Sequence, residues 1–205
     1  MSTVSIQANA QTDSEVSIGV YGGATFLPKK PTYIESKYFD ELRFGYGGGG
    51  QLILFFNNIG FGFNYDFSNF SAHNRMLFGE SIDENYNLHF YGPLIATRVK
   101  INREHHLVFT ITYGKSIITN NAQIRGTKSE IRSDDWVPKF SINYNYCFSD
   151  FAFTASLGFV KEQSPEEPKV LTGSLLGNQY SYNSGVDFDR LSLNLGIAYN
   201  IFNLF

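Results

Sequence analysis

Apolar and polar residues alternate along most of the chain after Glu15. An alternation with a period of two is typical of β-strands that have two different faces, because successive side chains point to opposite sides of a strand. No segment shows a competing helical periodicity. The pattern predicts eight strands, beginning near residues 16, 42, 59, 86, 107, 136, 151 and 191.

The connections between these strands alternate strictly in length. Three short turns are predicted at residues 57–58, 102–104 and 149–150, and four long connections at residues 28–41, 69–85, 120–135 and 163–185. Asn57 and Asn58 tolerate the positive φ that a tight turn requires. The fourth strand is the least regular, since a bulge at Gly92-Pro93 could switch the side-chain facing. The alternation predicts an eight-stranded antiparallel up-and-down transmembrane β-barrel, with four long outer loops and three short periplasmic turns.

The polar face of the predicted strands is rich in Gly, Asn, Ser and Thr. This composition suits a hydrated lumen and would be unusual for a soluble exterior, although a soluble, lipocalin-like barrel is the alternative. The charges on this face are expected to form a structural plug rather than a selectivity filter. The predicted lumen network comprises Arg43, Gln51, Asn64, Asp66, Lys139, Asn143, Asn145 and Arg190.

Aromatic residues lie near the strand ends on the apolar face. Such positions are typical of the two aromatic girdles that a membrane barrel has at its two interfaces. The predicted girdle residues are Phe44, Tyr46, Phe67, Tyr113, Trp136, Tyr146, Phe148 and Phe151.

Composition narrows the possible partners. Charged residues make up only 17% of the 205 residues, and no run of apolar residues is long enough for a helical membrane span. A formal net charge of -3 gives no basic field, so we expect no nucleic-acid partner.

Cys147 is the only cysteine, which excludes an internal disulfide and a cysteine-based zinc cluster. Residues 1–14 are interpreted as a signal-peptide remnant or a disordered N-terminus, and residues 15–205 as the outer-membrane β-barrel.

Two segments carry a family resemblance, together with the eight-strand layout. The first is Ile18-Gly19-Val20-Tyr21-Gly22-Gly23, and the second is the terminal segment 197–205. Over about residues 15–205, the chain resembles small outer-membrane β-barrel proteins of the OmpA/OmpX type, and most closely the PorT-type outer-membrane barrel group. The resemblance implies an outer-membrane location, contact with outer-membrane lipid and lipopolysaccharide, and insertion by the outer-membrane assembly machinery. The implied C-terminal insertion signal comprises Ile197, Tyr199, Ile201 and Phe205, whereas Asn203 departs from the family pattern.

We expect no catalytic, cofactor-binding or metal-binding residues. His73 has Ser71, Ser81 and Asp83 nearby in the sequence, but the chain contains no His-x-Ser pair. His105 and His106 are adjacent on a strand and should point to opposite faces, so they cannot easily share one metal ion.

The expected function is that of a structural or surface-interaction protein, which acts through its loops on an extracellular or envelope partner. The alternatives are an accessory factor in protein secretion or envelope assembly, a lipid-modifying outer-membrane enzyme and a small solute pore. Aromatic loop residues are expected to anchor the partner: Phe70, Phe78, Tyr180 and Tyr182.

Overall fold

A computed structural model of the chain describes residues 14–29, 40, 42–77, 80–124, 127–162, 170–175, 178–183 and 188–202. Its strands are β1 (Ser14–Phe26), β2 (Phe44–Phe56), β3 (Ile59–Leu77), β4 (Glu80–Lys100), β5 (His105–Ile124), β6 (Thr127–Phe148), β7 (Phe151–Val160), β8 (Val170–Leu175), β9 (Asn178–Asn183) and β10 (Arg190–Phe202). Eight strands close into a barrel in the order β1-β10-β7-β6-β5-β4-β3-β2, while β8 and β9 form a separate two-stranded sheet. All neighbouring pairs are antiparallel. The predicted eight-stranded barrel is confirmed. Within the described ranges, no helix has the length and hydropathy that a membrane crossing requires.

The barrel wall is apolar outside. Leu195 is 73% exposed, whereas the adjacent Asn194 is 8% exposed and points inward. The same alternation holds around the barrel and leaves a belt of exposed apolar side chains. This facing excludes the lipocalin-like alternative, in which the apolar residues would lie inside. The belt includes Ile18, Val20, Leu52, Phe61, Ile95, Ile111, Ile142, Leu157, Leu193, Leu195 and Ile197.

The three predicted short turns are confirmed. Asn57 and Ser149 have φ values of 56° and 54°, in the left-handed region that a two-residue hairpin turn uses. In the third turn, Asn102 Oδ1 accepts hydrogen bonds from the N–H groups of Glu104 and His105, at 2.9 and 2.8 Å.

Two of the predicted long loops have the wrong bounds, because most of their residues belong to strands. β3 continues to Leu77 and β4 begins at Glu80, so most of residues 69–85 form a hairpin. Likewise, β5 ends at Ile124 and β6 begins at Thr127. These parts lack the apolar alternation because they lie beyond the apolar belt. Most of the connection 28–41 lies outside the described residues, and the connection 163–185 contains β8 and β9.

The possible change of side-chain facing at Gly92-Pro93 does not occur. The β4–β5 register is the same on both sides of this dipeptide, as the pairs Tyr91↔Lys115 and Leu94↔Thr112 show. The side-chain facing therefore does not switch in β4. A register shift occurs instead in the pairing of β3 with β4, between Ala72 and Arg75.

The interior contains three apolar clusters, so the expectation of a polar lumen is only partly right. Phe70, predicted to anchor a partner, is 1% exposed and belongs to the outer cluster; that prediction is wrong. Phe78 and the side chains of Tyr180 and Tyr182 lie outside the described part of the chain. The outer cluster comprises Leu27, Leu42, Phe70, Ala72, Tyr86, Leu88, Ile118 and Phe188. The middle cluster comprises Phe90, Val137 and Val160, and the cluster toward the short turns comprises Ile53, Phe55, Leu94, Ala96 and Val108.

Candidate functional site

A central network crosses the lumen. Lys139 Nζ donates hydrogen bonds to Asp66 Oδ2 at 2.6 Å and to Asn64 Oδ1 at 2.7 Å. Tyr21 OH donates to Asp66 Oδ1 at 2.7 Å and accepts from Asn64 Nδ2 at 2.7 Å. The network joins β1, β3 and β6 and gives the buried ammonium group both a counter-charge and hydrogen-bond acceptors. Three of these four residues were among those predicted from the sequence. Tyr21 was not, although its place in the strand alternation already put it on the polar face.

Glycine residues of β2 make room for the Tyr21 ring. A Cβ atom on Gly49 would lie 3.0 Å from the ring and 2.2 Å from the carbonyl oxygen of Tyr65. Lys139 Nζ lies 5.7 Å from the centroid of the same ring. The glycine-rich run in β2 therefore has a packing role that its composition alone did not reveal.

A second network lies at the outer mouth of the lumen. Glu162 Oε1 accepts hydrogen bonds from Arg190 Nη1 at 2.7 Å and from Ser116 Oγ at 2.6 Å. The side chains of Arg190 and Glu162 are each 3% exposed. Burial raises the pKa of Glu162 above its ordinary value, and the Arg190 charge and the Ser116 hydrogen bond counteract this only in part. Arg190 was predicted to face the lumen, whereas Glu162 was missed because it follows the end of β7.

A third ion pair closes the short-turn end. Arg98 Nη1 donates to Glu15 Oε2 at 2.5 Å, and Nη2 donates to the carbonyl oxygen of Asn57 at 3.0 Å. The Arg98 guanidinium carbon also lies 4.3 Å from the Phe55 ring centroid. The sequence pattern assigned Arg98 to the polar face, but nothing in it indicated Glu15 as its partner.

The remaining predicted network residues do not join these three groups. Arg43 is exposed and precedes β2, with its guanidinium carbon 5.8 Å from the Phe44 ring centroid, so its prediction as a lumen residue is wrong. Gln51 packs against Gly19, and Asn145 Oδ1 accepts a hydrogen bond from Thr154 Oγ1 at 2.9 Å. Asn143 is buried, and its Nδ2 has no hydrogen-bond partner among the described residues.

The predicted girdle positions lie on the outer face, but their depth in a membrane stays a prediction. Tyr113 stacks on Trp136 with ring centroids 5.9 Å apart, and Phe148 stacks on Phe151 at 6.1 Å. Of the proposed insertion signal, Ile197, Tyr199 and Ile201 lie on the outer face of β10. Phe205 lies outside the described residues.

The three polar networks and the three apolar clusters together fill the lumen. A cavity beside Tyr21, Asp66, Lys139 and Arg190 has a volume of about 10 Å³. That is close to the smallest volume that holds one water molecule. The arrangement therefore suits a plugged barrel.

The histidines contact residues outside the three networks. His73 Nδ1 is 3.7 Å from Asp83 Oδ1, and both side chains are highly exposed. His105 stacks on Tyr144, whereas His106 Nδ1 lies 3.4 Å from Cys147 Sγ. Within the described ranges, no three His, Cys, Asp or Glu side chains are close enough to hold a metal ion.

The comparison with solved structures bears on the fold. The chain is similar to a major outer membrane protein from Thermus thermophilus, with a TM-score of 0.62, 9% identity, and coverage of 92% of this chain and 99% of that chain. The fold is that of a bacterial outer-membrane β-barrel. Its apolar belt places the barrel in the outer membrane, because these side chains would otherwise face water.

Two further structures show a looser likeness. The attachment invasion locus protein Ail of Yersinia pestis has a TM-score of 0.46, 15% identity, and coverage of 93% of this chain and 99% of that chain. The outer membrane protease OmpT from Escherichia coli has a TM-score of 0.44, 9% identity, and coverage of 92% of this chain and 96% of that chain. A comparison with protein-family models found no match, and neither did a comparison with curated proteins. The PorT-type assignment stays a prediction.

Proposed function

We propose that this barrel is a non-enzymatic surface-interaction protein, whose recognition surface is the sheet formed by the outer parts of β3, β4, β5 and β6. These strands contain 19, 21, 20 and 22 residues, whereas β2 contains 13 and β7 contains 10. About 9 to 11 residues are enough to cross a bilayer. The four long strands therefore extend well beyond the membrane, and this observation carries the proposal.

One edge of the protruding sheet suits recognition of a polypeptide. The pairing of β2 with β3 ends at Tyr46↔Asn69, and that of β7 with β6 ends at Val160↔Lys139. Within the described ranges, the outer part of β3 pairs only with β4, and that of β6 only with β5. β8 lies against β6, so the edge of β6 is partly covered. Within the described residues, the edge of β3 offers backbone N–H and C=O groups to a partner that adds a strand.

Other features support this proposal over a pore or an enzyme. Three ion pairs and three apolar clusters fill the lumen, which argues against solute conduction. The His73–Asp83 contact is exposed, whereas catalytic groups are commonly held in partly buried, pKa-perturbing surroundings.

Site-specific photo-cross-linking in intact cells tests the proposal. A photoreactive residue would replace Asn121 on the protruding sheet, Leu195 on the belt or Asn58 in a short turn, all of which are exposed. We expect a discrete protein adduct from position 121 alone. Adducts from position 58 alone would contradict the proposal and favour the alternative of an accessory factor with a periplasmic partner.

A further inference from the structure

The outer face of β3 and β4 changes from aromatic to amide side chains within two residues. Phe67 and His89 form a direct cross-strand pair, with ring centroids 5.3 Å apart. Asn69 and Asn87 form the next pair on the same face, farther from the apolar belt, and Asn85 follows them in β4. We call Asn69, Asn85 and Asn87 the amide cluster.

The alternation of side chains fixes the facing of the amide cluster. Phe70, Tyr86 and Leu88 belong to the buried outer cluster inside the barrel. Each member of the amide cluster is adjacent in the sequence to one of these three residues, so its side chain points to the outside. The pairing of β3 with β4 is regular from Ile59 to Ala72. The amide cluster therefore shares its face with the belt residues of the same strands.

Internal hydrogen bonds orient the amide cluster. Asn69 is 6% exposed, and its Nδ2 donates to Asn85 Oδ1 at 2.8 Å and to Asn87 Oδ1 at 2.9 Å. Asn85 and Asn87 are half-buried, and their Nδ2 groups form no hydrogen bond within the described part of the chain. The cluster thus offers two amide donor groups to the outside, and the buried Asn69 holds both in position.

Aromatic rings border the cluster on the membrane side. Tyr65 OH lies 2.9 Å from His89 Nδ1, and the Phe67 ring centroid lies 6.4 Å from that of Tyr46. Amphipathic aromatic rings lie at the level of lipid headgroups. Because the same strand face contacts lipid below these rings, the headgroup of that lipid is the molecule that meets the amide cluster.

The chemistry of the cluster suits a sugar rather than a phosphate. Its members are uncharged, and so are their direct partners in β5, Thr119 and Asn121. Side-chain amides pair with hydroxyl groups, which both donate and accept hydrogen bonds. The neighbouring aromatic rings offer an apolar surface to the C–H groups of a sugar ring.

We propose that the amide cluster binds a sugar ring in the headgroup of an outer-leaflet glycolipid. The acyl chains of this lipid lie against the apolar belt, and its headgroup meets the cluster at the outer end of the belt. The site lies on the face of the protruding sheet, whereas a polypeptide partner would add to the edge of β3, so the two surfaces are separate.

Quenching of a single tryptophan by brominated lipid tests the proposal. The chain has one tryptophan, so Phe67→Trp in a Trp136→Phe background places the only reporter beside the cluster. The protein is reconstituted into nanodiscs with equal fractions of brominated digalactosyldiacylglycerol or brominated phosphatidylcholine, which have the same acyl chains and no net charge. We expect the glycolipid to be preferred. The preference should fall about fivefold in Asn85→Ala/Asn87→Ala, because both outward donor groups are lost.

Asn58→Ala is the matched control, because it removes an exposed amide from the opposite end of the barrel and should leave the preference unchanged. Circular dichroism of each variant checks that the barrel is folded. An unchanged preference in the folded Asn85→Ala/Asn87→Ala variant would overturn the proposal. Displacement of the glycolipid by soluble digalactosylglycerol would also overturn it, since that result indicates a site for free saccharides.

Discussion

Arg98 Nη1 in β4 lies 2.5 Å from Glu15 Oε2 in β1, and the two residues are 83 positions apart in the sequence. Both side chains are nearly fully buried at the short-turn end of the lumen. Burying two charges carries a large desolvation cost, which close pairing and additional hydrogen bonds offset. The pair therefore requires the closed barrel, since β1 and β4 are not neighbours in the sheet.

Removing one partner of this ion pair should destabilise the barrel more than removing both. We expect Arg98→Met to lower the free energy of unfolding by about 3–5 kcal/mol, because Glu15 stays buried without its counter-charge. The double variant Glu15→Gln/Arg98→Met should lose less than the single variant. Reversible urea unfolding in lipid vesicles measures both values.

The more exposed pair of Lys115 and Asp134, with an N–O distance of 2.6 Å, provides the control. Lys115→Met should destabilise the barrel much less than Arg98→Met does, because exposed ion pairs contribute little. Equal losses for Arg98→Met and Lys115→Met would contradict the argument from burial.

Two glycines should respond differently to alanine. A Cβ atom on Gly49 would meet the carbonyl oxygen of Tyr65 and the ring of Tyr21, whereas one on Gly22 would meet only the Gly47 carbonyl oxygen, at 3.5 Å. Gly49→Ala should therefore cost about 1–3 kcal/mol through overpacking. Gly22→Ala should be neutral or slightly stabilising, since glycine weakens a strand. Urea unfolding compares the two variants, and similar stabilities would indicate that the wall relaxes around an added methyl group.

The barrel itself was predictable because its wall follows a simple physical rule. Lipid outside and polar groups inside impose a period of two, which remains visible in strands such as β6 and β10. The rule applies only within the apolar belt. The outer parts of β3 to β6 lack the alternation of apolar and polar residues, so the sequence pattern predicts loops there. Pairing within two hairpins and between β4 and β5 maintains these strand extensions, and the alternation of apolar residues does not reveal such pairing.

The lumen network was predictable only as a set of inward-facing residues. Period-two alternation brought Asn64, Asp66 and Lys139 to one face, and the structure joins them. The alternation could not identify Glu162 or Glu15, since each of these residues lies where a strand begins or ends. Arg43 was assigned to the lumen because the predicted strand began at Leu42, two residues before β2 begins at Phe44.

The outer apolar cluster should matter for stability, although sequence reasoning placed Phe70 on a display loop. Phe70 is almost fully buried, and a phenylalanine-to-alanine change in a core typically costs about 3–5 kcal/mol. Phe63→Ala is the control, because Phe63 is an exposed residue of the belt. We expect Phe70→Ala to lower the melting temperature in detergent more than Phe63→Ala does. The reverse order would show that the cluster is dispensable to the barrel.

The stability of the barrel should depend on pH through Glu162. Because burial raises the pKa of Glu162, the folded protein binds more protons than the unfolded chain between the ordinary glutamate pKa and the raised value. Stability from this group is therefore fully present below the ordinary glutamate pKa and is lost as the pH rises through the raised pKa. Glu162→Gln cannot titrate, so the free energy of unfolding of the wild type minus that of the variant should decrease across this window. Unfolding in vesicles at a series of pH values measures the difference, with Glu104→Gln at the opposite end as the control. A difference that increases with pH would mean that attraction to Arg190 outweighs burial, and that the pKa of Glu162 is lowered.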